Sequence, residues 1–265
     1  MGYTLAVRYT SDLTDREWQL IDYCFPKPCK RGRRRKHPFR ELLNAMFYLL
    51  KTGAQWRNLP KDFAPWRTVY HYFRLWKRNG FWKEIHTHLR EHLRRVEGRK
   101  SQPSAAIIDS QSVKSTEVSE ERGYDAGKKI NGRKRHVLVD TLGLVLLVLV
   151  LPASIQDRDG AQQLLAAFFG HKTYRRVKHI WADGGYAGTL LERARKWWRC
   201  TIEIVKRSQL HTFKVLPRRW VVERTFGWLG RSRRLNRDYE RQAQTGETMV
   251  YLAMIRLMLA RLGKP

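Results

Sequence analysis

Three carboxylates stand out in a chain that is otherwise crowded with cations. Asp109 closes the apolar run Ala106-Ile107-Ile108 and is followed by Ser110. Asp183 closes a second run, Ile180-Trp181-Ala182, and precedes two glycines. Glu223 lies in a helical, basic stretch, residues 219–229. In α/β sheets, ligands bind at the carboxyl ends of strands. Two aspartates there, with a helical glutamate arriving from the side, could hold two Mg²⁺, because hard divalent ions take carboxylate oxygens and leave positions for substrate phosphates. Two such ions about 3.5–4 Å apart stabilise the attacking and leaving oxygens of phosphoryl transfer. On the helix, Arg219, Glu223 and Gly227 recur at i, i+4 and i+8 and so share a face. The glycine would remove bulk where a phosphate backbone approaches, and Arg219 would bind phosphate or orient Glu223. Each carboxylate taken alone also reads as a cap, a turn residue or half of an ion pair. Asp140, Asp125 and Asp157 invite those plainer readings, Asp157 as a helix N-cap.

The elements that must position these groups fall into two parts, residues 1–100 and 101–265. The first part reads as helical. Thr14 with Glu17 three residues on makes a capping-box pattern for a first helix. Helices are expected over 39–52, ended by Gly53, and over 66–79 and 81–96, separated by Asn79-Gly80. Such a bundle suits a helical DNA-binding domain, with the face Arg67, Tyr70, His71, Arg74 as one candidate recognition surface. A basic run, Arg31, Arg33, Arg34, Arg35 and Lys36, precedes it. After a polar linker at 98–104 the pattern changes to strands. Short strands are expected at 105–109, 136–141, 144–151, 179–182 and 201–205. Helices are expected at 157–169, 189–198, 217–235 and 247–262. Trp220 and Trp228 bracket Glu223; they read first as core residues and second as platforms for an unpaired base. The last helix, with Met249, Leu252, Ile255, Leu259 and Leu262, would pack in the core or form an interface.

Composition narrows the partner. The 265 residues carry 53 Lys+Arg against 24 Asp+Glu, a formal net charge of +29. The excess is spread over both parts: 23 basic and 9 acidic residues before position 101, 30 and 15 after it. With 42% hydrophobic and 12% aromatic residues this is no disordered basic tail. A polyanion is implied, nucleic acid ahead of an anionic membrane surface. No stretch approaches the ~18–20 apolar residues of a membrane helix, and Met1–Thr10 shows no signal-peptide core. Cys24, Cys29 and Cys200 fit no metal-ligand spacing and read as reduced thiols of a cytoplasmic protein. No phosphate-binding loop of the Walker type is present.

The motifs, taken in order, resemble bacterial insertion-sequence transposases of the DDE class. The resemblance rests on residues 107–114 around Asp109, on Gly123-Tyr124-Asp125-Ala126-Gly127-Lys128-Lys129 with Gly132-Arg133-Lys134-Arg135-His136, on Ala182-Asp183-Gly184-Gly185-Tyr186, and on residues 220–229 around Glu223. The stretch from Leu43 to Trp82, including Gly53-Ala54-Gln55-Trp56-Arg57-Asn58-Leu59-Pro60, is similar to the helical domain of the insertion-sequence-five-like group. The resemblance implies an α/β, ribonuclease-H-like catalytic domain, a mixed sheet flanked by helices, behind an N-terminal all-helical DNA-binding domain. It implies Asp109, Asp183 and Glu223 as a metal-binding catalytic triad using Mg²⁺, with Mn²⁺ able to substitute. The reaction implied is cleavage at transposon terminal inverted repeats, then joining of the 3′-OH to target DNA. Double-stranded DNA is the implied partner, with a homodimer or higher assembly on it and a cytoplasmic, nucleoid-associated place of action. In related families a Tyr-x2-Arg-x3-Glu-x6-Lys signature surrounds the glutamate. Here Arg219 and Glu223 match it, Leu216 stands at the Tyr position and Gly230 at the Lys position, with Arg231 next to it. Lys128, Lys129, Arg133, Lys134 and Arg135 are expected to track the DNA backbone near the cut. A nuclease that cuts without joining, or an inactive DNA-binding protein, are the rival readings.

Overall fold

The computed structural model describes residues 9–27, 35–171, 176–205 and 220–264. Four helices come first: α1 (Asp15–Gln19), α2 (Phe39–Thr52), α3 (Trp66–Arg78) and α4 (Phe81–Val96). The predicted capping box opens α1: Thr14 Oγ1 accepts from the Glu17 amide while the Glu17 carboxylate accepts from the Thr14 amide. Gly53 ends α2 with φ +76°, a left-handed turn that a side chain would strain.

Strands β1 (Ala105–Lys114), β2 (Gly123–Asp125), β3 (Ile130–Asp140) and β4 (Val145–Pro152) follow, then α5 (Asp157–Gly170), β5 (His179–Ala182), α6 (Thr189–Trp198), β6 (Thr201–Ile204), α7 (Trp220–Gly230) and α8 (Ala243–Leu262). The sheet is mixed. β1 runs antiparallel to β3, and β3 antiparallel to β4. On its other edge β1 is parallel to β5, and β5 to β6. Short β2 shares the β3 edge used by β4. The order β4-β3-β1-β5-β6, an antiparallel meander extended by two parallel strands, is ribonuclease-H-like.

Alternation along β1 sends its side chains to two cores. Ile107 joins a cluster with α2, α3, α4, α7 and α8. Ala106 and Ile108 join a cluster with α5 and α6. The larger cluster runs without a break from the N-terminal helices into the sheet, because α8 packs on both α4 and β4. The apolar residues Met249, Leu252, Ile255 and Leu259 of α8 are buried there. On the opposite face, α5 lies close over β3. A Cβ at Gly160 would stand 2.2 Å from the His136 ring, so only glycine allows that approach.

Two strands are longer than expected. β1 continues to Lys114 and β3 begins at Ile130. The polar residues there read as loop, yet they pair in register from Ser110↔His136 to Lys114↔Gly132. Conversely, the helix expected over 217–235 is α7 followed by a short turn at Arg233–Leu235. No helix among the described residues is long and apolar enough to cross a membrane.

Candidate active site

β1 and β5 pair with a constant register, Ala105↔His179 to Ile107↔Trp181. Continued by two residues, that register sets Asp109 opposite Asp183, on strands about 4.8 Å apart. By alternation Asp109 shares the sheet face of Ile107, the face on which α7 packs against β1. Both aspartates are half-buried, and Glu223 is exposed on α7. Asp183 Oδ1 accepts from the Gly185 amide at 2.9 Å, which fixes the turn after β5; Asp109 Oδ1 lies 2.7 Å from the Ser110 nitrogen.

Beside this pair lies a buried polar cluster. Ser110 Oγ donates to Asp157 Oδ1 at 2.8 Å, and Lys134 Nζ stands 2.9 Å from the same oxygen and 3.3 Å from Asp125 Oδ2. Ser112 Oγ donates to Asp125 at 2.6 Å, and the Lys128 amide donates to the other oxygen at 3.1 Å. Burial pushes the Asp125 carboxyl up, but the Ser112 and Lys128 hydrogen bonds and the Lys134 charge prevail and bring it to about 2. Asp157 behaves alike: burial raises it, and Lys134 with Ser110 brings it below the usual carboxylate range. Asp157 is therefore the first residue of α5 and part of this network rather than the N-cap; Gln156 holds the cap position. Burial drives His136 down to about 4. Burial pushes the Tyr186 hydroxyl up, and the fields of Asp109, Asp157 and Asp183 add to it.

The cations expected to follow DNA divide sharply. Lys128 and Lys129 are exposed, and Lys128 Nζ stands 3.4 Å from the Ser110 carbonyl oxygen, one residue from Asp109. Arg133, Lys134 and Arg135 are 0%, 5% and 1% exposed, so they do not reach a DNA backbone. Arg133 donates to the Glu121, Glu240 and Arg241 carbonyls and pairs with Asp238 at 3.4 Å. Arg135 donates to the Leu235 carbonyl at 2.8 Å. Their acceptors lie mostly about a hundred residues further along the chain. Asp140, a rival carboxylate, is buried, paired with Arg94 and bonded to the hairpin amides of Leu142 and Leu144.

On α3, Arg67, His71 and Arg74 are exposed and line a groove of about 760 Å³ with Arg78 and Gln242. Arg35, Lys36 and Arg231 are described; Arg35 and Arg231 are exposed and Lys36 is exposed beside α2. Arg31, Arg33, Arg34 and Arg219 lie outside the described residues, as does Leu216. Trp220 departs from the expected core position. It is 42% exposed, and Arg224 lies 4.4 Å from its ring and 4.6 Å from that of Trp228. Gly227 faces open space: a Cβ there would meet no atom within 4 Å.

Among the described residues no three His, Cys, Asp or Glu side chains converge into a ready-made metal site. Paired carboxylates nonetheless suit Mg²⁺, which is commonly held by one or two carboxylates together with substrate phosphates. The donor set of Asp109 and Asp183 fits that pattern, with Glu223 on the helix laid over β1.

Comparison with known proteins bears on most of the chain. Residues 13–86 match the family model described as "Putative transposase of IS4/5 family (DUF4096)". Residues 100–258 match the model described as "Transposase DDE domain". Two Burkholderia cepacia proteins are similar over part of the chain. "Putative transposase for insertion sequence element IS402" is 32% identical over 118 residues, 42% of this chain and 56% of that protein. "Insertion element IS402 uncharacterized 16.2 kDa protein" is 30% identical over 119 residues, 42% of this chain and 78% of that protein. The chain thus spans little more than half the length of the first of these. The crystal structure of the Mos1 strand transfer complex aligns over 90% of this chain and 82% of that one, at 14% identity and a TM-score of 0.25, too low a likeness to build on. With more than half of its length matched by the catalytic model, the chain belongs to the DDE-domain transposases.

Proposed function

We propose that this protein cuts DNA at the ends of an insertion sequence and joins the freed 3′-OH to target DNA. The observation that carries the reading is the parallel pairing of β1 with β5, which, continued by two residues, would bring Asp109 opposite Asp183, with the helix bearing Glu223 packed against β1. In this reading Asp109 and Asp183 hold divalent ions, Mg²⁺ by the chemistry of the donors, and Glu223 supplies the third carboxylate. Divalent ions at such a site polarise the phosphate and activate the attacking hydroxyl. The protein's own part is positioning. The turn after β5, pinned by Asp183 and the Gly185 amide, fixes one ligand. The Ser110–Asp157–Lys134 network holds β1 beside the other. Lys128 and Arg231 bind backbone phosphates next to the cut, and the open face at Gly227 admits the DNA strand.

In this reading residues 1–100 grip the transposon end through α3, and residues 101–265 carry the chemistry. Two ends must be brought together to be joined, so a dimer or larger assembly forms on DNA, at the bacterial nucleoid. The test is cleavage of duplex DNA carrying the element's terminal repeats in Mg²⁺. Asp109→Asn is expected to bind those ends and leave them uncut; full cutting by that variant overturns the assignment. A strand-transfer assay with pre-cut ends separates joining from mere nuclease action.

A further inference from the structure

A basic concavity of about 350 Å³ sits at the end of β1 that lies away from α4. Lys114, Arg122, Lys129 and Arg237 line it, with Tyr124 and Asn131, and no carboxylate is among its lining residues. We propose that this concavity is a second seat for DNA backbone phosphates, distinct from the α3 groove; it rests on the transposase reading for the identity of the polyanion.

The local construction supports it. Lys129 takes φ +52°, a left-handed conformation uncommon outside glycine, and strained backbone of this kind gathers at functional sites. The turn is held from behind by the Lys128 amide on Asp125, leaving Lys129 exposed. Tyr124 is 56% exposed on β2, an aromatic hydroxyl of the kind that donates to phosphate. Arg237 reaches the Ser115 carbonyl at 3.3 Å, and the Asp238 amide bonds the Lys114 carbonyl at 2.9 Å, so the segment after α7 is tied to the end of β1. Asp238, next to Arg237, is buried against Arg133.

Position gives the site its role. From Asp109 to Lys114 the strand rises about 17 Å at ~3.4 Å per residue. Successive phosphates of one DNA strand are ~3.4 Å apart along the helix axis. The distance from Asp109 to Lys114 is about half a helical turn of duplex, so the concavity lies within the reach of DNA flanking a scissile phosphate at Asp109.

The experiment uses the full chain in metal-free buffer and a fluorescent duplex of roughly 30 base pairs and arbitrary sequence, titrated by anisotropy from about 50 to about 200 mM salt. The double variant Lys114→Ala with Arg237→Ala is compared with Arg95→Ala and Arg99→Ala. The latter pair is exposed at the end of α4, next to the Arg94–Asp140 pair at the other end of the sheet. The first double variant is expected to bind about tenfold more weakly at the lower salt, with a slope of log K on log salt shallower by about two. The control pair is expected to keep the wild-type slope, and the charge-conserving Lys114→Arg with Arg237→Lys to restore it. Equal effects from both alanine pairs, no effect from the first, or no restoration overturns the proposal. Because no cutting is measured, a failure of Asp109→Asn to block cleavage would sink the catalytic reading and leave this result standing.

Discussion

On α3, Arg67, His71, Arg74 and Arg78 stand out into solvent along one groove. On β3, Arg133, Lys134 and Arg135 are all buried, and every one is bonded to an internal carbonyl or carboxylate. The two runs have much the same composition and opposite fates. The difference lies in what the fold brings to them. α3 is amphipathic, with Val69, Phe73 and Trp76 turned inward and its cations turned out. β3 is central in the sheet and covered on both faces, so its cations survive only because Asp238, Asp157, Asp125 and several orphan carbonyls converge on them. A buried charge is tolerable when paired and hydrogen-bonded, and costly once a partner is lost.

That contrast can be broken, most forcefully at Arg133. Arg133→Ala strips partners from Asp238 and three carbonyls, and is expected to lower stability by about 3–5 kcal/mol in chemical denaturation. A loss no larger than that of an exposed arginine would erase the distinction. His136, next along β3, extends the test to pH. Burial holds its folded pKa at about 4 against an ordinary 6.5, and neither ring nitrogen has a partner among the described residues. Between those values the unfolded chain takes up a proton that the folded one refuses, so stability falls as pH drops through this window, by about 3 kcal/mol. His136→Leu is expected to flatten the denaturation midpoint between about pH 6.5 and 4; an undiminished slope would assign the pH response elsewhere.

The exposed run should behave in the opposite sense. Arg67→Ala with Arg74→Ala is expected to leave stability within about 0.5 kcal/mol while making the salt dependence of DNA binding shallower by about two. Unchanged binding would leave the α3 cations as a solvated helix face. At α7 the expected change in stability has the opposite sign. Gly227→Ala should stabilise the helix by about 0.5–1 kcal/mol, since alanine gives up less chain entropy than glycine. If DNA closes over that face, cutting nevertheless slows; cutting at the wild-type rate would remove the open face from the mechanism.

The parts of this fold that follow local rules were legible. α2, α4, α6 and β5 have the expected bounds because their apolar spacing and flanking Gly, Pro or Asn residues act within a few positions. At the site, Asp183 does follow the short strand β5 as expected, but Asp109, expected at the end of a short strand, lies in the middle of the ten-residue β1. The fate of Arg133 and Arg135 was not legible. Their acceptors are Asp238 and the carbonyls of Leu235, Glu240 and Arg241, brought close only by tertiary structure. The early start of β3 was hidden for the same reason, as charged residues in a central strand contradict strand patterning until their partners are known. A faint signal did exist: Asp238 and Glu240 are acids in an arginine-rich segment, as conspicuous there as Asp109 is upstream.

α8 packs at once on the N-terminal helices and on the strand β4. Its consequence is one of inheritance. A DNA-gripping unit joined by a linker can be exchanged for another by recombination, and new specificities then arise by shuffling. Here the helices and the sheet share one helix and one core, so a grafted replacement would have to match the buried side chains of α8 on arrival. On the proposed reading, change in what these helices grip would come by substitution at exposed positions rather than by exchange of the whole unit.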